Sequence, residues 1–145
     1  MGGGSGGVGM GFMANGTITI ASFVKLVTGT GNNNFVVIAG ANDAVCGVSG
    51  MNLKYPQGLG GSATTCAEAG DGIEVIQPPY TAMLTLGGTV ATGGYVKSDG
   101  SGFGVAIATT GTTIQQIGAR ALAGGANANL VLVQVWQAPV FVALS

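Results

Sequence analysis

The chain predicts an all-β protein, a small β-sandwich or partly open β-barrel with a flexible glycine-rich N-terminal arm. Three observations carry that prediction. Glycine supplies 29 of the 145 residues and 47% are apolar, mostly Val, Ala, Leu and Ile interleaved with Thr, a mixture that suits half-buried pleated surface. Short apolar runs alternate with turn-forming punctuation at Gly31-Asn32-Asn33-Asn34, Gly70-Asp71-Gly72, Gly87-Gly88 and Asp99-Gly100, the pattern of many closely spaced strands. Helical periodicity is scarce, and its best window, Thr112–Ala123, is weakened by Gly118.

The elements follow in order. Residues 1–16, MGGGSGGVGMGFMANG, form the arm; glycine loses the most backbone entropy on ordering, which favours mobility in the free chain. Val8, Met10 and Phe12 alternate within it and Met13 follows, so an extended arm would carry apolar anchors on one face. Two readings stand: an arm that orders on a partner, or a disordered terminus with incidental apolar residues. Residues 17–145 form a single β-domain. Its candidate strands are Thr17–Ala21, Phe35–Ala39, Val45–Val48, Ile73–Ile76, Ala82–Leu86, Gly94–Lys97, Phe103–Ala108, Ile117–Ala121 and Leu130–Trp136. The last, LVLVQVW, is apolar at successive positions rather than alternate ones, which predicts cover on both faces. That cover is either a second sheet of the same subunit or a neighbouring subunit, with Val140–Leu144 continuing the seam.

Composition also excludes function classes. Charged residues make up 6%, histidine is absent, and four cations face five acids for a net charge of −1. Four scattered cations cannot neutralise a run of phosphates or form a basic membrane-surface patch, so neither nucleic acid nor membrane is an expected partner. A serine nucleophile would lack an imidazole base. Zinc would find two cysteines and no histidine, and no metal or cofactor is expected. None of Lys25, Lys54 or Lys97 follows a glycine, which rules out a Walker loop, and Gly7-Val8-Gly9-Met10-Gly11 lacks the flanking strand and helix of a dinucleotide fingerprint. Glu68, Asp71 and Glu74 form the sole acidic cluster, which suits a turn at Gly70-Asp71-Gly72 better than a metal site. Cys46 and Cys66 lack metal-ligand spacing and suit half-buried free thiols. Asn15-Gly16-Thr17 matches a glycosylation sequon but fits a turn joining arm to domain. No secretory leader or membrane-spanning helix is expected, since Leu130–Leu144 is short and contains Gln134, Gln137 and Pro139. The expected function is assembly rather than catalysis, because a charge-poor, apolar surface favours association.

Motif order adds a resemblance. Phe23-Val24-Lys25 is followed by Val36-Val37-Ile38-Ala39-Gly40-Ala41-Asn42-Asp43 and Val45-Cys46-Gly47-Val48-Ser49. Gly70-Asp71-Gly72-Ile73-Glu74-Val75, the segment Gly87–Gly100 and Ile117-Gly118-Ala119-Arg120-Ala121-Leu122 come next, before the closing strand. Across roughly residues 17–136 this order resembles the phage head-decoration, or capsid cement, family. The resemblance implies a compact β-domain, commonly a homotrimer, made in the host cytoplasm and bound to the outer surface of an icosahedral capsid. There it would clamp neighbouring subunits of the major capsid protein, stabilising the assembled lattice by mass action.

On this reading the capsid contacts are Met10, Phe12 and Met13 of the arm and Ile18 and Ile20 of the first strand, and the subunit contacts are Leu130, Leu132 and Trp136. Two other classes compete. A virion-surface carbohydrate- or host-binding module would use Tyr55, Tyr80, Tyr95 and Trp136 as stacking faces. A self-polymerising tube or filament subunit would form open rather than closed assemblies.

Overall fold

The computed structural model describes residues 11–28, 34–54, 64–108 and 114–140. The described residues hold no helix, and the all-β expectation is met. Thirteen strands follow in chain order: β1 (Phe12–Ala14), β2 (Ile18–Thr19), β3 (Phe23–Leu26), β4 (Phe35–Ile38), β5 (Gly47–Ser49), β6 (Thr65–Ala67), β7 (Gly72–Ile73), β8 (Val75–Ile76), β9 (Thr81–Thr85), β10 (Tyr95–Ser98), β11 (Gly104–Ala106), β12 (Gln115–Ala121) and β13 (Leu130–Val140).

They divide into two curled sheets and a separate two-stranded antiparallel pair, β2-β6. The first sheet has the order β7-β1-β4-β3-β5-β8. Its edge strands β7 and β8 belong to one stretch of chain interrupted only at Glu74, and that stretch pairs with β1 on one side and β5 on the other. The sheet therefore closes on itself. Its interior holds Ala14, Ile18, Val24, Val36, Ala67, Ile73 and Val75, with Ile18 and Ala67 supplied by the antiparallel pair β2-β6. Gly47 is required where β5 meets β8, because a Cβ there would lie 2.7 Å from Val75 Cγ1.

The second sheet, β11-β10-β12-β13-β9, is antiparallel throughout. A parallel bridge between Leu86 and Gly104 joins its two ends, so it too is nearly closed. Its inner face carries Ala82, Leu84, Val96, Ala119, Ala121, Val131, Val133 and Val135, packed in one cluster with Phe23 and Val48 of the first sheet and Ala39 and Val45 of the segment joining β4 to β5. Period-2 alternation explains the division: Phe23 points to the shared core and its neighbour Val24 into the first barrel.

Several expectations need correction. Phe12–Ala14, placed in the arm, is strand β1, held between parallel β4 and antiparallel β7, and Ala14 is fully buried. Its three residues are too short for periodicity to register. Strands β3 and β6 were not among the candidates. Ile73–Ile76 is split at Glu74, and the Thr112–Ala123 window is strand from Gln115 to Ala121. Of the two covers expected for Leu130–Trp136, a second sheet of the same subunit does not account for both faces among the described residues: Val131, Val133 and Val135 are buried, whereas Leu130, Leu132 and Trp136 are exposed. Met10, Gly31-Asn32-Asn33, Tyr55, Thr112 and residues 141–144 lie outside the described residues.

Candidate interaction surface

Both lysines of the first barrel are closed in ion pairs. Lys25 Nζ lies 2.7 Å from Asp43 Oδ2, which also accepts the Gly40 amide; the Lys25 hydrogen bond, then that amide, holds the Asp43 carboxyl below the usual range. Lys54 reaches Asp71 at 2.6 Å and Glu68 at 3.2 Å. Asp71 also accepts the Glu68 amide at 2.8 Å, and Lys54 followed by that amide lowers its pKa. The same two carboxylates push the Lys54 ammonium up. Asp71 thus closes its own turn, where Gly70 has φ of 91°, as the sequence reading anticipated. In the second barrel Asp99 accepts the amides of Ser101 and Phe103 at 2.8 and 3.0 Å, the Asx-type bonding expected of a turn aspartate.

Chemistry is absent from the other candidate places. Cys46 and Cys66 are free and half-buried. Burial pushes the Cys46 thiol up to about 11 and raises Cys66 as well, so little thiolate is present at neutral pH. Among the described residues no group of three or more Cys, Asp or Glu side chains is placed to hold a metal. A groove of about 730 Å³ runs between Leu26, Val45 and Gln137. Its charges are the closed Lys25–Asp43 pair, and the Gln137 amide donates to the Val45 carbonyl. Nothing in it is poised to attack or to move a proton.

What remains is the outer face of the second sheet. Alternation along β13 turns Leu130, Leu132, Gln134 and Trp136 outward, and register places Thr85, Met83 and Thr81 opposite the first three. On the other side Arg120 faces Gln134, and Tyr95 faces Arg120. Leu122 donates its amide to the Leu132 carbonyl and so sits beside it. The face has two halves. One is apolar, with Leu122, Leu130 and Leu132 exposed by 42%, 44% and 42%. The other is aromatic and cationic: the Tyr95 and Trp136 rings meet edge to face with centroids 5.3 Å apart, flanked by Arg120 and by Lys97, two residues along the same strand face. The Arg120 Nε donates to the Gly93 carbonyl at 3.4 Å.

The sequence-derived residues distribute unevenly over this structure. Leu130, Leu132 and Trp136 do share one exposed face, but Trp136 belongs to its aromatic half. Ile18 is fully buried inside the first barrel, because β2 plugs that barrel, so it is a core residue and not a surface contact. Phe12 and Met13 of β1 and Ile20 are half-buried on the first barrel. Sequence reasoning missed Met83, Lys97, Arg120 and Leu122; each joins the face only through cross-strand register, for which a single sequence carries no signal.

No protein-family model matches the chain, and no curated protein matches it by sequence. Among solved structures it is similar to the N base of the head fiber gp8.5 of bacteriophage phi29. The identity is 12% and the TM-score 0.58, covering 89% of this chain and 93% of that one. The likeness spans both barrels and establishes a shared fold.

Proposed function

We propose that the chain is a non-enzymatic structural protein of a phage virion. In this reading it is made in the host cytoplasm, assembles as a homotrimer, and binds the outer surface of an icosahedral capsid, where it clamps neighbouring subunits of the major capsid protein. The observation that carries the reading is the uncovered leucine half of the second sheet, where Leu122, Leu130 and Leu132 are exposed. Leu122, Leu130 and Leu132 with Met83 supply the subunit contact, the kind of contiguous apolar surface that marks an association site. Phe12, Met13 and Ile20, with Met10, are the capsid contacts. Support comes from the order of small motifs along the chain and from the fold shared with a phage head-fiber base. A ligand that binds only the assembled lattice stabilises it, and many copies multiply a modest contact.

Two measurements test this reading. Sedimentation of the purified protein should give a closed trimer, and Leu132→Lys should give folded monomers. Cosedimentation with empty shells of the same phage's major capsid protein should recover the wild type, and recovery should fall for the half-buried surface substitutions Met13→Gln and Ile20→Gln combined, in a protein whose circular dichroism is unchanged. A protein that stays monomeric at high concentration and leaves the shells in the supernatant would overturn it.

A further inference from the structure

The second half of the exposed face carries a different proposal, independent of the capsid reading. Of the four cations, Lys25 and Lys54 are closed in ion pairs of the first barrel. Lys97 and Arg120 have no ion-pair partner among the described residues, and both stand on the outer face of the second sheet. Between and beside them lie the exposed rings of Tyr95 and Trp136. The spacing follows from strand geometry. Arg120 is directly opposite Tyr95 and Gln134 directly opposite Arg120, each step roughly 5 Å. Lys97 is two residues beyond Tyr95, about 7 Å along the strand. No carboxylate takes part in either cross-strand row: Asp99 is engaged with the amides of its own turn, and Asp43, Glu68 and Asp71 are engaged with Lys25 and Lys54.

We infer that this patch is a binding site for an acidic polysaccharide, a chain of pyranose rings bearing carboxylates. Aromatic faces stack on the apolar face of a pyranose ring. The guanidinium fork takes a carboxylate in two parallel bonds and the ammonium takes a second as a point charge. The Gln134 amide lies in the same row, placed to donate to and accept from hydroxyls. The bond to Gly93 engages the Arg120 Nε and not its terminal nitrogens. A protein partner would bury the adjoining leucines together with the rings, whereas a glycan is narrow enough to lie along the aromatic half alone.

Trp136 is the single tryptophan of the chain, so its fluorescence reports on this site directly. The experiment titrates the intact protein with polygalacturonate, with neutral dextran and with inorganic polyphosphate. Polygalacturonate should shift the emission and weaken with salt. Dextran, which stacks without charge, and polyphosphate, which has charge without rings, should each bind at least about tenfold more weakly, the worth of one or two charge-assisted bonds. Lys97→Gln with Arg120→Gln should lose the preference for polygalacturonate over dextran while the emission of the free protein stays unchanged. Leu132→Lys, which tests the subunit contact, should leave glycan binding intact. Absence of a shift with polygalacturonate, an equal response to polyphosphate, or an undiminished preference in the double variant would overturn the proposal.

Discussion

The two barrels use the same small repertoire of residues in opposite ways. In the first, ionisable groups turn on one another: Lys25 on Asp43, and Lys54 on Asp71 and Glu68. Its sheet is closed, with apolar residues inside and the neighbouring barrel against part of its outside. In the second, Lys97 and Arg120 have no such partners among the described residues, and the outer face carries leucines and paired aromatic rings. The first barrel is a scaffold whose two lysines are both paired with carboxylates. The second presents unsatisfied surface of two kinds on one sheet. An exposed apolar face of this kind has to be held by a packed scaffold behind it, and the shared core around Phe23 supplies that support.

The comparison assumes that the halves fold as one unit, and Phe23 tests that most severely. Its side chain is fully buried among residues of both sheets. Phe23→Ala should cost about 3–5 kcal/mol, the range for deleting a core aromatic ring, with urea unfolding remaining a single transition. Separate transitions for the two halves would break the picture. A smaller effect comes from the residue facing that ring: a Cβ on Gly118 would lie 2.6 Å from Phe23 Cε1 and 2.8 Å from Val45 Cγ2. Gly118→Ala should therefore cost about 1–3 kcal/mol by overpacking. Phe23→Leu should relieve part of that cost, so the two substitutions should be non-additive in a double-mutant cycle.

That contact also shows what could be read in advance. Class was legible, because Val36, Val48 and Val131–Val135 lie in short apolar runs bounded by glycine and asparagine. Gly118 was legible only as a reason to doubt a helix; its role as the space for Phe23 depends on contact between residues far apart in the chain. Strand β1 was hidden because Phe12 and Met13 are embedded in glycine, and its partners β4 and β7 lie far along the sequence. Strand β13 misled in a more instructive way. Leu130, Leu132 and Trp136 are as apolar as the valines between them, so composition could not separate the face that meets the core from the face that meets solvent. The aromatic half was harder still: Tyr95 and Trp136 are distant in sequence, and Lys97 and Arg120 look like two scattered surface charges until register places them beside the rings.

Acid should separate the barrels where mutation of the shared core cannot. Asp43 and Asp71 have pKa values lowered in the folded state, chiefly by the lysine hydrogen bonds. Their stabilising contribution is present above the unfolded carboxylate value of about 3.9 and disappears as pH falls through the lower folded values. Lys54 is raised, so its contribution is present below its unfolded value and lost only as strongly alkaline pH passes the folded one. Hydrogen exchange on lowering the pH from 6 toward 2 should therefore show protection failing first in residues 12–76, around the Lys25–Asp43 and Lys54–Asp71 pairs. Strands β12 and β13, which contain no carboxylate, should follow later. Asp71→Asn should flatten the acid limb of the stability curve, and uniform loss across both barrels would contradict the asymmetry.

The smallest expected effect lies in the turn before β13. Ala128 is exposed and has φ of 72°, a left-handed conformation that costs an L-residue roughly 1–2 kcal/mol and glycine almost nothing. The turn holds it there by donating the Ala128 amide to the Leu86 carbonyl at 2.7 Å, while Asn129 Oδ1 accepts the Ala126 amide at 2.7 Å. Ala128→Gly removes the strain without emptying a core site, although glycine also loosens the unfolded chain and offsets part of the gain. The balance predicts a stabilisation of about 0.5 kcal/mol, measurable as a higher urea midpoint at unchanged slope. Because the turn carries none of the exposed leucines or rings of the sheet's outer face, the sedimentation coefficient and Trp136 emission should stay as they are. A change in either would mean that this turn belongs to the working surface and that the division between scaffold and surface runs through the second barrel itself.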